Sequence, residues 1–77
     1  MPTLIADYGY DVHQLELSNT EARLIECRTN FSKSGDVWSE TDEGMVPAVW
    51  KFDFETNEFW IHCENGASFA INSYEIE

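Results

Sequence analysis

The organisation of this chain is clearest in residues 50–66, which read Trp50-Lys51-Phe52-Asp53-Phe54-Glu55-Thr56-Asn57-Glu58-Phe59-Trp60-Ile61-His62-Cys63-Glu64-Asn65-Gly66. Apolar and polar residues alternate in two runs separated by a turn at Thr56-Asn57, and a third run continues through Phe69 and Ile71. Alternation with period two is typical of β-strands that bury one face. Asn65-Gly66 predicts a type I′ hairpin turn, whose two central residues both need positive φ. The pattern therefore predicts a three-stranded antiparallel meander.

This meander is expected to have one apolar face and one acidic face. The apolar face, which we expect to be buried, consists of Trp50, Phe52, Phe54, Phe59, Ile61, Cys63, Phe69 and Ile71. The opposite face carries Asp53, Glu55 and Glu64, with Glu58 near the turn and Trp60 and His62 in the same row. Because residues i and i+2 of a strand lie about 6.6–6.8 Å apart, such a face holds its carboxylates at fixed spacing.

The N-terminal half is expected to contain one further strand and one helix. Residues 12–17 alternate in the manner of a strand. On one side of this strand lie His13, Leu15 and Leu17. Ser18 and Glu21 match a capping box, which predicts a short helix over residues 19–28. An alternating pattern across residues 22–27 leaves a strand as the alternative.

The remaining segment, residues 32–47, is rich in Ser, Gly and acids, and predicts a loop pinned by Trp38. The fold class expected from these elements is α+β. It consists of an antiparallel β-sheet, made of the C-terminal three-stranded meander plus the N-terminal strand, with one short helix. A length of 77 residues predicts a single acidic domain that spans residues 1–77.

Charge is the most informative feature of the composition. Fifteen Asp and Glu residues against four Lys and Arg residues give a net charge of −11, whereas small soluble domains commonly carry a magnitude of about 2–8. Residues 36–64 hold eight of the acids and only Lys51 as a base, a net charge of −7. A field of this sign repels nucleic acids and anionic membranes. The expected partner is therefore a basic protein surface, with no direct binding to nucleic acid or membrane.

The expected partner-binding surface is the acidic face of the meander. Its residues are Asp53, Glu55, Glu58 and Glu64, with Trp60 as an anchor and Asp42 and Glu43 as a nearby rim. Duplex DNA carries one negative charge per roughly 1.7 Å of axis, so a groove built for phosphates has difficulty distinguishing the two arrays by charge alone. The alternative interpretation is an ordinary solvated sheet face.

Recognisable catalytic chemistry is missing from the sequence. It contains no glycine-rich phosphate loop and no G-x-S-x-G motif, and the acidic loop at residues 40–44 lacks EF-hand ligand positions. His62 and Cys63 are adjacent strand residues that point to opposite faces, so they do not chelate one ion together. We expect no cofactor, no metal and no enzymatic activity.

The two cysteines, Cys27 and Cys63, do not form a C-x-x-C pair. Two reduced thiols are the expected state, and a disulfide between them is the alternative. The N-terminal residues lack the basic region and apolar run of a signal peptide, and no stretch is long enough to span a membrane. These features predict a cytoplasmic protein.

The whole chain, from Met1-Pro2-Thr3-Leu4-Ile5-Ala6-Asp7-Tyr8 to Asn72-Ser73-Tyr74-Glu75-Ile76-Glu77, resembles the small acidic phage anti-CRISPR proteins of the type I-C class. These families share no signature motif, so no binding residue is carried over. The resemblance implies a DNA mimic in the host cell cytosol that occupies a nucleic-acid groove on a type I CRISPR interference complex. The candidate subunit is the large one, which reads the duplex beside the target.

Two other functional classes fit the same composition. An immunity protein or antitoxin that blocks a basic nuclease uses the same electrostatics on a different partner. A small structural protein needs the charge only for solubility. The DNA-mimic inhibitor is the function that the sequence favours.

Overall fold

The computed structural model describes residues 1–77. Its elements in chain order are β1 Thr3–Asp7, β2 Val12–Glu16, α1 Asn19–Glu26, β3 Phe31–Ser34, β4 Val37–Ser39, β5 Gly44–Val46, β6 Ala48–Asp53, β7 Glu58–Cys63, β8 Ser68–Ala70 and β9 Ser73–Ile76. All strand pairings are antiparallel. Several sheets with one helix give the α+β class that the sequence predicts. The helix is too short and too polar to cross a membrane.

The strands form two main sheets and a small hairpin. One sheet has the order β3-β6-β7-β8, the other has the order β2-β1-β9, and β4 pairs with β5. The three strands of the predicted meander are neighbours in the predicted order, with β3 added at the β6 edge. The predicted N-terminal strand, β2, does not join them. It lies in the other sheet, where it pairs with the first strand of the chain, β1, and β1 pairs on its other side with the last strand, β9. Neither β1 nor β9 was predicted.

The helix begins as the capping box predicts. The Ser18 Oγ accepts from the Glu21 N–H at 3.1 Å, and the Glu21 Oε1 accepts from the Ser18 N–H at 2.7 Å. Ala22 and Ile25 are buried, so the strand alternative for this segment is wrong. The helix ends at Glu26, earlier than predicted, because Arg28 adopts a left-handed conformation with φ 57°.

The core lies between the two main sheets. The ring of Tyr74 on β9 meets that of Phe52 on β6 edge-on at 5.2 Å. The ring of His13 on β2 lies 6.5 Å from that of Trp50. The fully buried large side chains are Trp50, Phe52, Leu4, Leu17, Ile25 and Ile61. Each such apolar side chain stabilises the fold by about 1.5–3 kcal/mol through its burial.

The predicted apolar face is correct in parity, but it is not buried throughout. Phe54, Phe59 and Phe69 are only half-buried against the core, whereas Ile61 and Ile71 are buried. Phe54 lies beyond the end of β6, where the chain turns toward β7. The core is therefore centred on the middle of β6 and β7, not on the whole length of the alternation.

The segment 32–47 is not the loop that the sequence predicts. Ser34 lies opposite Val49 in the β3–β6 pair, and Val37 lies opposite Val46 in the β4–β5 pair, so both pairs keep one register. β3–β4 and β5–β6 thus form one long hairpin. Its pairing is interrupted next to Pro47, which has no N–H to donate.

Trp38 does not pin this segment to the core. Its side chain is 54% exposed, whereas its neighbour Val37 is only 2% exposed. The inward residues of the tip are Val37 and Val46, which packs against the core. The expected anchoring role therefore belongs to Val37, and the prediction for Trp38 is wrong.

The β7–β8 turn is a hairpin turn, but it is not of type I′. Only Gly66 has positive φ, at 94°, and its N–H donates to the Cys63 carbonyl at 3.0 Å. Asn65 acts through its side chain instead, since its Oδ1 accepts from the Ala67 N–H at 2.9 Å. At the β6–β7 turn, Asn57 has φ 62°, which fits the turn predicted there.

Candidate functional site on the outer face

The long hairpin, β7 and β8 share one solvent-exposed side, which we call the outer face. The alternation of exposed and covered residues continues in phase from β3 into β4 and from β5 into β6. The outer face comprises Ser32, Ser34, Asp36, Trp38, Glu40, Glu43, Met45, Pro47, Val49, Lys51, Asp53, Glu58, Trp60, His62, Glu64, Ser68 and Ala70. It is therefore a single ribbon-like surface that extends beyond the four-stranded sheet.

Six carboxylates occupy three levels along this face. Glu40 and Glu43 lie at the hairpin tip, and Asp53 and Glu58 are cross-strand partners at the far end. Asp36 and Glu64 flank Pro47 at the middle level; the Glu64 N–H donates to the Pro47 carbonyl at 2.9 Å. At roughly 3.3 Å per residue of extended chain, the middle level lies at most about 13 Å and the far level at most about 33 Å from Glu43. The longest dimension of the molecule is 35 Å.

Five of the seven residues predicted for the site lie on this face. They are Asp53, Glu58, Glu64, Trp60 and Glu43. Their carboxylates are not in one continuous row, because Lys51, Val49 and His62 occupy the centre of the face between the acidic levels. The predicted row is therefore divided into groups at its two ends and beside Pro47.

The other two predicted residues, Glu55 and Asp42, belong to turns. Glu55 lies between β6 and β7, and its N–H donates to the Asp53 Oδ1 at 3.0 Å. The Asp42 Oδ2 accepts from the Ser39 Oγ at 3.1 Å and from the Asn65 Nδ2 at 2.6 Å. Asp42 thus ties the β4–β5 turn to the β7–β8 turn, and its role in the fold is structural.

The carboxylates of the outer face form no ion pair within the protein. The protein has one ion pair, between Lys33 Nζ and Glu21 Oε1 at 2.7 Å, and no other Lys or Arg nitrogen lies within 4.0 Å of a carboxylate oxygen. The hydrogen bond from Lys33 lowers the pKa of Glu21. Neither partner lies on the outer face, where Lys51 is the only base. Its carboxylates are therefore free to meet external cations.

Aromatic side chains lie between the acidic levels. The rings of Trp60 and His62 are stacked, with centroids 5.9 Å apart and planes 8° from parallel. The His62 Nδ1 lies 3.0 Å from the Ser68 Oγ, which holds the imidazole in place. A flat aromatic pair beside carboxylates can receive an arginine side chain by stacking.

Sequence reasoning missed the most exposed apolar pair of the face. Trp38 and Met45 are cross-strand partners, and their side chains are 54% and 60% exposed. Residues 36–40 read Asp-Val-Trp-Ser-Glu, in which the two apolar residues are adjacent, so the sequence holds no period-two signal that could have found this pair.

A second acidic surface was also missed, on the outer side of the three-stranded sheet. It carries Asp7, Glu16, Glu75 and Glu77, and no base. The Thr3 N–H donates to the Glu77 carbonyl at 2.9 Å, so the pairing of β1 with the C-terminal strand extends to this last residue. This surface has no exposed Trp or Met, which distinguishes it from the outer face.

The titratable groups of the core are arranged as packing residues. His13 is stacked on Tyr8 at 4.4 Å, and burial lowers its pKa. Both cysteines are free, and burial raises the pKa of the Cys63 thiol. No group of three or more His, Cys, Asp or Glu side chains is arranged to hold a metal ion.

Comparison of this chain with protein-family models, curated proteins and solved structures found no match.

Proposed function

We propose that this protein is an inhibitor that binds a basic nucleic-acid-binding surface of a host defence complex by mimicking the charge of DNA. The observation that carries the proposal is the set of six carboxylates at three levels of one outer face. Lysines and arginines that neutralise phosphates can pair equally well with carboxylates, because both are anionic oxygen acceptors.

The dimensions of the outer face support this proposal. Its carboxylates span at most about 33 Å along the hairpin, which is close to the length of one helical turn of duplex DNA, about 34–36 Å. Duplex DNA as long as the 35 Å dimension of this molecule carries about 20 phosphate charges. The net charge of −11 is about half of that. The protein thus carries less negative charge than DNA of this length, but its carboxylates are attached to a sheet that is already folded before binding.

The lack of internal pairing supports the same proposal. A face that serves only solubility gains from interspersed positive charges, because they reduce self-repulsion. Here only one of the fifteen acids, Glu21, forms an ion pair. A basic partner would relieve this repulsion on binding, and complementary fields would also accelerate the encounter.

The partner that we propose is the large subunit of a type I CRISPR interference complex, following the resemblance to anti-CRISPR proteins. The test is a mobility-shift assay with purified type I-C interference complex and labelled target duplex. Added protein should release the duplex, and excess unlabelled duplex should compete with the protein for the complex. Unchanged duplex binding at saturating protein would contradict the proposal, and a basic nuclease would be the partner class to test next.

A further inference from the structure

The β4–β5 tip of the long hairpin presents an apolar pair that the charge-mimicry proposal does not explain. Trp38 and Met45 face each other across the two strands, and more than half of each side chain is exposed. Trp and Met are enriched at the centres of protein interfaces, where large side chains fill pockets. A protein that needed only charge would have no use for them at an acidic end of its outer face.

This tip is held firmly from behind. Val37 is 2% exposed and Val46 packs against the core, so the inward side of the tip is part of the fold. Asp42 joins the tip to the β7–β8 turn through its hydrogen bond to Asn65. The backbone that carries Trp38 is thus preorganised, and a preorganised segment loses little conformational entropy on binding.

The charges around the pair define the chemistry of its partner. Asp36 and Glu40 lie two residues either side of Trp38, and Glu43 lies two residues before Met45. Asp36 directly precedes β4, and Glu40 and Glu43 lie in the turn that joins β4 to β5, so acidic residues flank the apolar pair along the chain. No base occurs between Lys33 and Lys51. The complementary surface is an apolar pocket with lysines or arginines at its rim.

We infer that Trp38 and Met45 form the anchor of this protein, and that they insert into an apolar pocket rimmed by basic residues on the partner protein. The inference rests on the proposed function in taking the partner to be a basic protein, and it adds a contact that DNA cannot make. Charge brings the two surfaces together over a distance, whereas the anchor holds them after contact. The anchor therefore selects one protein among the many with basic grooves.

Two short synthetic peptides test the anchor without the interference complex. They have equal length and equal lysine content, with leucine at the remaining positions of one and serine in the other. The leucine peptide should bind the protein at least about tenfold more tightly by fluorescence anisotropy, because it can cover the apolar pair. Trp38→Ala should abolish this preference while retaining the weak binding of the serine peptide.

The matched control is Tyr10→Ala. Tyr10 is an aromatic residue that is 95% exposed in the β1–β2 turn, outside the outer face. This variant should keep the preference for leucine. Met45→Ser removes the other half of the pair and gives the same readout if Trp38→Ala fails to fold. Equal binding of the two peptides to the wild-type protein, or loss of the preference in Trp60→Ala but not in Trp38→Ala, would overturn the inference.

The interference complex supplies a second and separate readout. Trp38→Ala should weaken inhibition about 30-fold, as expected for a central interface residue, with an unchanged dependence on salt. If the wild-type protein fails to bind the complex, the proposed function fails, but the peptide result still decides on the anchor. If the complex is bound and Trp38→Ala inhibits as well as the wild type, the anchor fails and the charge mimicry remains.

Discussion

Charge reversal at three outer-face positions tests whether partner affinity depends on where the acids lie or only on how many there are. We choose Glu43→Lys, Glu58→Lys and Glu64→Lys, because these side chains are exposed and make no hydrogen bond within the protein. Asp53 and Asp42 are avoided, since each accepts hydrogen bonds that hold a turn. Replacing three acids by three lysines changes the net charge from −11 to −5.

The expected loss of affinity follows from the energy of exposed ion pairs. Such a pair is worth about 0.2–1 kcal/mol, and reversal replaces it by a repulsion of similar size. Three sites together give about 1–6 kcal/mol, and a value near 3 kcal/mol corresponds to a Kd roughly 100-fold weaker. The loss should be larger at about 50 mM than at about 200 mM salt, because salt screens exposed charges.

The matched control reverses three acids on the other sheet, Glu16→Lys, Glu75→Lys and Glu77→Lys. It reaches the same net charge of −5, and its fold is checked by circular dichroism. Fluorescence anisotropy of each labelled variant, titrated with the unlabelled interference complex, measures both affinities. A loss confined to the outer-face variant supports the proposed site. Equal losses would mean that only the total charge matters, and no loss in either would mean that the outer face is merely solvated.

Three further predictions concern stability. Phe52→Ala should reduce the free energy of unfolding in urea by about 3–5 kcal/mol, and half-buried Phe54→Ala by clearly less; equal losses would contradict the packing described above. Sodium chloride should raise the melting temperature, because it screens repulsion among unpaired carboxylates; a steady fall would mean that these acids are paired. Burial lowers the pKa of His13, so this histidine takes up a proton at a higher pH in the unfolded chain than in the folded protein. The free energy of unfolding should therefore decline as the pH falls below about 6.5. His13→Phe should flatten the pH profile of the melting temperature between about pH 6.5 and pH 5; an unchanged profile would assign the decline to other groups.

Short-range signals in the sequence predicted their elements correctly. Ser18 and Glu21 are three residues apart, and the capping box that they form depends only on the local backbone. The alternation around Trp50 and Ile61 needs no knowledge of the rest of the chain, because strand parity alone sends every second residue to the same face. These signals were sufficient to identify the helix and the β6–β7 pair.

The tip of the long hairpin shows where such signals fail. Gly35, Gly44 and Pro47 give the segment the composition of a loop, and β4 and β5 have only three residues each. In a strand of three residues the sequence does not decide which side chains face the core, and a shift of the register by one residue exchanges the two faces. Whether Val37 or Trp38 faces the core depends on the register that β3 and β6 impose.

The acidity of the chain, the −7 segment and the parity of its longer strands follow from the sequence, because they depend on composition and on neighbours along the chain. The tertiary fold decided which acids share a surface. Asp36 and Glu64 are distant in sequence, and they flank Pro47 only because the long hairpin pairs with β7. The two ends of the chain likewise meet as β1 and β9 and form the second acidic surface. Such pairings between distant residues are selected by the packing of the whole core, so no local pattern in the sequence contains them.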